Sequence, residues 1–171
     1  MVNNKVQIAR GKSEILIRLA QEIDADDIVI FNTAMAQETE NRTLPPEIIA
    51  TGVRNLIQHP EWGFYIVAES DGQVVGCLMI TYEWSDWRNG LFWWIQSVYV
   101  RPEFRRLGIY RKMDAFIRQM AKSAGNVCGL RLYVDRDNQI AQTTYCELGM
   151  SKTRYLLFEN TELEDKKRIQ L

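Results

Sequence analysis

A chain of 171 residues with 46% apolar and 25% charged side chains has the composition of a globular protein that buries a core. Its formal net charge of −1 excludes a global field that would draw it onto nucleic acid or an acidic membrane. Three scattered cysteines and a single histidine argue against a disulfide framework and against a zinc site. Neither a signal peptide nor a long apolar run is seen, so we expect a cytoplasmic protein without a membrane span.

Hydrophobic periodicity and turn residues predict alternating strands and helices after an N-terminal extension, 1–12, of uncertain structure. In chain order these are a strand at 14–19, helices at 24–40 and 45–59, strands at 63–70, 73–84 and 91–100, a helix ending near 124, a strand at 129–134, a helix at 138–148 and a last strand at 151–159. Asp24 is the predicted N-cap of the first helix, and Asp71-Gly72 between two β-rich runs predicts a hairpin. This order predicts one α/β domain over 1–171, built around a single sheet.

A basic turn, with the sequence RRLGIY at 105–110, separates the strand that ends at Val100 from the next helix. The first turn of a helix has backbone N–H groups without internal partners at the positive end of the dipole, and phosphate binds well there. Gly108 lets a phosphate approach the backbone without a Cβ in the way. Charge-assisted contacts can come from Arg105, Arg106 and Arg111. The residues leave open a second interpretation, in which these arginines only point into water, whereas the spacing excludes a P-loop or Rossmann loop.

The basic turn resembles the central motif of the GNAT superfamily of acyl-CoA-dependent N-acetyltransferases, which is a strand, then [Q/R]-x-x-G-x-[G/A], then a helix. Arg105 and Gly108 match this motif, and Tyr110 stands where the family has a small residue. The resemblance implies a GNAT-like fold: a mixed, mostly antiparallel twisted sheet, flanked by helices, with a central strand that splays from its neighbour.

A second match lies downstream, where NQIAQTTYCELGM at 138–150 is similar to the family segment N-x-x-A-x-x-x-Y-x-x-x-G-[F/M]. Asn138 and Tyr145 are seven residues apart, so a helix places them on one face. The resemblance implies that Asn138 touches the cofactor arm and that Tyr145 lies near its sulfur as the general acid. Without the motif, Tyr145 would be interpreted as a core tyrosine.

The resemblance further implies acetyl-CoA as cosubstrate, with no metal. The splayed strand would pair with the pantetheine arm, and a backbone N–H near Val98 would polarise the thioester carbonyl. Besides Asn138, the residues implied to bind the cofactor are Val98, Tyr99, Val100, Arg105, Arg106, Gly108, Ile109, Tyr110 and Arg111.

A general base is sought among carboxylates, and Glu83 is the first choice. Glu38 and Glu40, at the end of the first helix, are the other candidates, and solvated helix-end charges are the alternative interpretation. Adjacent Trp93 and Trp94 must point to opposite faces of a strand, so at most one of them lines an acceptor site.

Aromatic and acidic residues around 83–94 could hold a cationic amine by cation–π contacts, but they could equally bury core surface or form a homodimer contact. The sequence therefore predicts an N-acetyltransferase that acts on a primary amine, with small cationic acceptors favoured and no nucleic-acid or membrane partner. The alternative is a GNAT-like sensor or assembly module that binds CoA without turnover.

Overall fold

The computed structural model describes residues 14–160, so the predicted extension at 1–12 lies outside the described residues. The described chain divides into two compact units, residues 14–135 and residues 136–160. The first unit contains a five-stranded sheet with three helices, and the second contains one helix. A single domain over 1–171 stays a prediction.

The helices and strands of the first unit follow the predicted order closely. They are β1 (Ile15–Leu19), α1 (Ala25–Glu40), α2 (Pro46–Gln58), β2 (Gly63–Ser70), β3 (Gln73–Ser85), β4 (Gly90–Val100), α3 (Ile109–Ala124) and β5 (Val127–Arg131). The strands lie in the order β1-β2-β3-β4-β5, antiparallel from β1 to β4 and parallel between β4 and β5. The predicted mixed, mostly antiparallel sheet is confirmed.

Alternation along the strands divides the buried side chains between two cores, one on each face of the sheet. The core packed by α1 and α2 includes Ile28, Phe31, Val53, Leu56, Tyr65, Val67, Cys77 and Tyr99. The core packed by α3 includes Ile66, Leu78, Ile80, Trp93, Ile95, Ile109, Met113 and Ile117. Both faces are therefore covered, and neighbouring residues of β4 belong to opposite sides of the sheet.

The turn between β2 and β3 has the predicted hairpin geometry. Asp71 and Gly72 both have positive φ, at 50° and 75°, as the two central residues of a type I′ turn require. Asp and Gly tolerate the left-handed region better than other residues, so this dipeptide specifies the turn locally.

Asp24 occupies the N-cap position of α1, as predicted, but its side chain does not cap the helix. Its carboxylate is 3% exposed and accepts hydrogen bonds from Arg18 at 2.7 and 2.9 Å and from the Gln21 N–H at 2.7 Å. Arg18 also donates to Glu69 at 2.9 Å. Burial opposes ionisation of Asp24, but the bonds from Arg18 and Gln21 outweigh it and hold the pKa of Asp24 below its ordinary 3.8. The group joins β1 and β2 to the start of α1.

A bulge interrupts the pairing of β4 with β3. Cys77 lies opposite Tyr99 and Met79 lies opposite Gln96, so β4 carries one extra residue in this interval. Ser97, within the bulge, has a φ of 49°, which is uncommon for a residue with a side chain.

The same strand separates from β5 just before the bulge. The last pair between β4 and β5 is Trp94 with Arg131, although β4 continues to Val100. The predicted splay of the central strand is thus confirmed. The sequence predicted that the fifth strand ends at Val134, but β5 ends at Arg131. The splay explains the difference, because residues beyond Arg131 pair with no strand among the described residues.

The second unit contains α4 (Gln139–Glu147), close to the predicted 138–148. Asn138 is its N-cap, and the Asn138 Oδ1 accepts a hydrogen bond from the Ala141 N–H at 3.0 Å. Gly149, with a φ of 82°, lies just after the helix and ends it in the left-handed conformation.

The predicted last strand at 151–159 is wrong. This segment has no regular structure, and the apolar side chains of residues 155–158 are 69–88% exposed. β-rich composition makes a strand only where a neighbouring strand supplies ladder hydrogen bonds, and none does so within residues 14–160. No helix in this range is long and apolar enough to cross a membrane.

Candidate active site

The basic turn leads from β4 into α3 through two left-handed residues. Arg106 has a φ of 64° and Gly108 a φ of 76°, and α3 begins directly afterwards with Gly108 as its N-cap. A Cβ at Gly108 would meet nothing within 4 Å, so glycine is required here for its conformation, and the space above it is open. The first turn of α3 contains no acidic residue. The positive end of this helix dipole is therefore presented without a carboxylate from its own first turn.

The three arginines of the turn differ in what their side chains do. The Arg105 Nε donates to the Val100 carbonyl oxygen at 2.8 Å, and its Nη2 donates to the Glu38 Oε2 at 2.7 Å. Its guanidinium carbon lies 5.4 Å from the centroid of the Tyr99 ring. Arg106 and Arg111 are exposed. Arg105 is thus bound back into the fold, which leaves the backbone as its route to a phosphate.

Tyr110, the residue that departs from the family motif, directs its ring inward. It is partly buried and packs against the core on the α3 side of the sheet, next to the buried Ile109. A bulky residue at this position consequently adds its volume to the core and not to the outer surface of the turn.

The bulged end of β4 brings three predicted cofactor residues into the first unit's sheet. Val98 and Val100 pack against the core on the α3 side, whereas Tyr99 is buried on the α1/α2 side. The Tyr99 hydroxyl donates to the Glu38 Oε1 at 3.1 Å. Beyond Trp94 no strand among the described residues pairs with the β5-facing edge of β4. Such an edge offers N–H and C=O groups to an extended ligand, which would bind as an added strand.

A polar and aromatic group of side chains lies around the point where β4 leaves β5. We call it the polar wall; its members are Thr81, Glu83, Trp94, Gln96, Arg131 and Tyr133. The Tyr133 hydroxyl donates to the Gln96 Oε1 at 3.1 Å, and the Gln96 Nε2 donates to the Thr81 Oγ1 at 2.5 Å. The Trp94 and Tyr133 rings lie 6.0 Å apart between centroids.

Glu83 is part of this wall and has two partners. Its Oε2 accepts from the Trp94 indole N–H, and its Oε1 accepts from Arg131 at 2.5 Å. A carboxylate has about four lone-pair sites, so roughly two remain for a proton or a water molecule. Of the other candidate bases, Glu38 holds Tyr99 and Arg105, and Glu40 is exposed.

The sequence predicts Glu83 as the base and allows at most one of Trp93 and Trp94 at an acceptor site, but it does not predict most of the wall. Trp93 is buried in the core and Trp94 faces the wall, as strand alternation requires. Gln96 could have been found, because it is two residues from Trp94 on the same strand face. Arg131 and Tyr133 reach the wall from β5 and the segment after it, and no local pattern indicates that contact.

Asn138 and Tyr145 lie in the second unit and are described within it. The Asn138 Oδ1 caps α4, so its amide nitrogen is the group that can donate to a ligand. Burial raises the pKa of Tyr145 above its ordinary 10, which keeps the phenol protonated at neutral pH. Within residues 14–160, no group of three or more His, Cys, Asp or Glu side chains could hold a metal ion.

Comparison with known proteins gives the family. The model of the acetyltransferase (GNAT) family matches residues 23–150. A possible acetyltransferase from Clostridium difficile 630 is 41% identical, with a TM-score of 0.82 over 88% of this chain and 99% of that chain. The chain therefore belongs to the GNAT family of acetyltransferases.

More distant solved structures share the fold. A predicted acetyltransferase from Clostridium acetobutylicum, crystallised with acetyl-CoA, is 18% identical, with a TM-score of 0.72 over 86% of this chain and 96% of that chain. An aminoglycoside N-acetyltransferase in complex with CoA is 15% identical, with a TM-score of 0.69 over 91% of this chain and 99% of that chain.

Proposed function

We propose that this GNAT acetyltransferase transfers the acetyl group of acetyl-CoA to the nitrogen of a primary amine. The observation that carries the proposal is the bulged end of β4, without β5 beside it, followed directly by a basic turn that opens α3. The first feature offers backbone groups to an extended arm, and the second offers a helix N-terminus to a pyrophosphate. Two structural neighbours were crystallised with acetyl-CoA or CoA, which supports the same cosubstrate here.

The cofactor residues have distinct roles in this proposal. Backbone groups of Val98 and Val100 pair with the pantetheine arm, and Asn138 donates to it. The backbone at Gly108 and in the first turn of α3 holds the pyrophosphate, with Arg106 and Arg111 close enough in sequence to add charge. The remaining proposed contacts are the backbone groups of Tyr99, Arg105, Ile109 and Tyr110.

In the reaction, the amine nitrogen attacks the thioester carbonyl carbon, and the C–S bond then breaks. The oxyanion accepts a hydrogen bond from a backbone N–H near Val98. Tyr145 gives its phenol proton to the departing thiolate; burial raises the pKa of Tyr145, so the phenol holds this proton at neutral pH until the thiolate leaves. The amine proton passes to Glu83, directly or through water, at a lone pair that Trp94 and Arg131 do not occupy.

The polar wall supports an amine as the acceptor. Trp94 and Tyr133 contribute two rings to the wall, but the Arg131 guanidinium already lies over the Trp94 ring, 5.9 Å from its centroid. The exposed Tyr133 ring is therefore the one that can bind a further cation through its face. The carboxylate of Glu83 is paired with Arg131, so the wall would bind a cationic group through the Tyr133 ring more than through net negative charge. We therefore propose a small amine as the acceptor.

The three cysteines of the described chain are all free, which supports a location in a reducing compartment, the cytoplasm.

The proposal is tested by measuring release of the CoA thiol from acetyl-CoA over a panel of small amines, with the product checked by mass spectrometry. Tyr145→Phe should lower kcat by roughly 10²-fold, since positioned acids and bases contribute about that much. Tyr155→Phe is the matched control, because Tyr155 is exposed and belongs to the same unit. Full turnover by Tyr145→Phe at saturating substrate would remove Tyr145 as the acid.

A separate variant, Glu83→Gln, tests the base. We expect its kcat to fall and the acidic limb of its pH–rate profile to disappear, because the amide cannot accept the amine proton. An unchanged profile would assign the proton to water or to another group. CoA binding without turnover on any amine would favour the sensor or assembly module instead.

A further inference from the structure

The last turn of α1 contacts the basic turn through one carboxylate, Glu38. Its Oε2 accepts from the Arg105 Nη2 at 2.7 Å, and its Oε1 accepts from the Tyr99 hydroxyl at 3.1 Å. Arg105 in turn donates to the Val100 carbonyl oxygen at 2.8 Å and lies over the Tyr99 ring. We call Glu38, Tyr99 and Arg105 the clamp. The clamp joins the end of α1, the end of β4 and the basic turn. Glu38 and Arg105 are 67 residues apart in the sequence.

The clamp is poorly explained by stability alone. Glu38 lies near the C-terminal end of α1, where a negative charge opposes the helix dipole. The two side chains of the ion pair are 41% and 43% exposed, and pairs this exposed contribute little to folding. What the clamp does fix is geometry, because each oxygen of Glu38 has a different partner and Arg105 has three contacts.

The residue next to the clamp needs such a restraint. Arg106 has a φ of 64°, a conformation that residues with side chains adopt only when their surroundings impose it. Arg105 precedes Arg106 directly, and its side chain is held by two hydrogen bonds, from Nε to the Val100 carbonyl oxygen and from Nη2 to Glu38. The clamp therefore holds one end of the short segment, 105–108, that leads into the first turn of α3.

We propose that Glu38 is a positioning residue for the cofactor. It holds Arg105, and through Arg105 it holds the basic turn in the conformation that presents the α3 N-terminus to the pyrophosphate. A turn that is already ordered loses less conformational entropy when the ligand binds, so the clamp improves affinity without touching the ligand. The inference rests on the proposed function, because it assumes that acetyl-CoA binds at this turn.

Glu38→Gln tests the clamp because it keeps the length of the side chain and removes the charge. We expect the KM for acetyl-CoA to rise about two- to fivefold, the range that an ion pair this exposed can supply, while kcat changes less than about twofold. Glu47→Gln is the matched control, since Glu47 is an exposed glutamate of α2 outside the clamp. It should leave both constants unchanged.

A second donor separates positioning of the pyrophosphate from a general structural effect. S-acetylpantetheine has the thioester and the arm but no pyrophosphate, so Glu38→Gln should leave its kcat/KM unchanged. Arg105→Gln combined with Glu38→Gln should raise the KM for acetyl-CoA no more than Arg105→Gln alone, because both changes break the same contact.

The outcomes are distinguishable from failure of the proposed function. If wild-type protein neither binds nor turns over acetyl-CoA, the proposed function fails. If wild-type protein binds acetyl-CoA but Glu38→Gln matches Glu47→Gln in affinity, the clamp is overturned. Equal losses of kcat/KM with acetyl-CoA and S-acetylpantetheine would also overturn it, because they would show that the turn is not the affected part.

Discussion

Gly76 lies beside the bulge, where β3 contacts the end of β4, and its replacement by alanine perturbs the splayed strand directly. Gly76 is opposite Val100, and a Cβ there would lie 2.7 Å from the Tyr99 carbonyl oxygen and 3.2 Å from the Val100 Cγ2. The first distance is too short for a backbone neighbour, so β4 must move away from β3. Overpacking of this kind typically costs about 1–3 kcal/mol, and in a chain of this size each kcal/mol lowers Tm by roughly 2–4 °C.

The same displacement should reach the proposed oxyanion site, because Val98 lies one residue from Tyr99 on the strand that moves. We therefore expect Gly76→Ala to lower both the free energy of unfolding, measured by denaturant titration, and kcat with saturating acetyl-CoA. Gly52→Ala is the matched control: Gly52 lies inside α2 and a Cβ there would meet nothing within 4 Å. Alanine at that position should stabilise the protein by about 0.5–1 kcal/mol with unchanged kinetics. The reasoning is refuted if Gly76→Ala melts at or above the wild-type temperature, or if it is destabilised but retains both KM and kcat.

Three further predictions concern other parts of the chain. The pKa of Asp24 is lower in the folded state than the ordinary 3.8, so ionised Asp24 stabilises the fold fully above pH 3.8, and this contribution is lost as pH falls through the folded pKa. Asp24→Asn should therefore lower Tm at neutral pH and reduce the fall of Tm with acidification. Equal slopes of Tm against pH in the two proteins would contradict this. Burial raises the pKa of Cys77 to about 12, so a thiol reagent at pH 8 should label the exposed Cys128 but should react with Cys77 only when the protein unfolds. Labelling of Cys77 in the folded protein, located by peptide mapping, would contradict this. Asn138→Ala should destabilise α4 by about 1 kcal/mol, whereas Asn138→Asp keeps the N-cap hydrogen bond. Both variants should raise the KM for acetyl-CoA, because both lose the amide nitrogen. A KM that rises in Asn138→Ala but not in Asn138→Asp would remove Asn138 from the cofactor site.

Local signals predicted the parts of the fold that local physics determines. The Asp71-Gly72 turn follows from the tolerance of these two residues for positive φ, and the end of α4 follows from Gly149. In α3, Ile109, Met113 and Ile117 are buried at spacings of four and eight residues, which is the helical periodicity of an apolar face.

Features that depend on distant partners were not predictable in this way. The segment at 151–159 has β-rich composition but no strand beside it, and composition cannot report a missing neighbour. Arg105 looked like a phosphate ligand, yet its guanidinium contacts Glu38 of α1. The Arg131–Glu83 ion pair joins residues 48 positions apart, so the partner of the proposed base appears only once the sheet is formed.

The same distinction applies to Tyr110, which stands where the family motif has a small residue. Its ring packs against the core on the α3 side of the sheet, so the motif position tolerates a large residue when its side chain faces inward. The sequence shows that a tyrosine occupies position 110, but the direction of the Tyr110 side chain depends on how α3 packs against the sheet.

The most direct test of the proposed transfer is to incubate the purified protein with acetyl-CoA and a panel of small amines and to follow both products. We expect free CoA thiol to appear in equal amount with an N-acetylated amine, and both to depend on Tyr145. Tight binding of acetyl-CoA without any acetylated amine, or thiol release without acetyl transfer to nitrogen, would contradict the proposal.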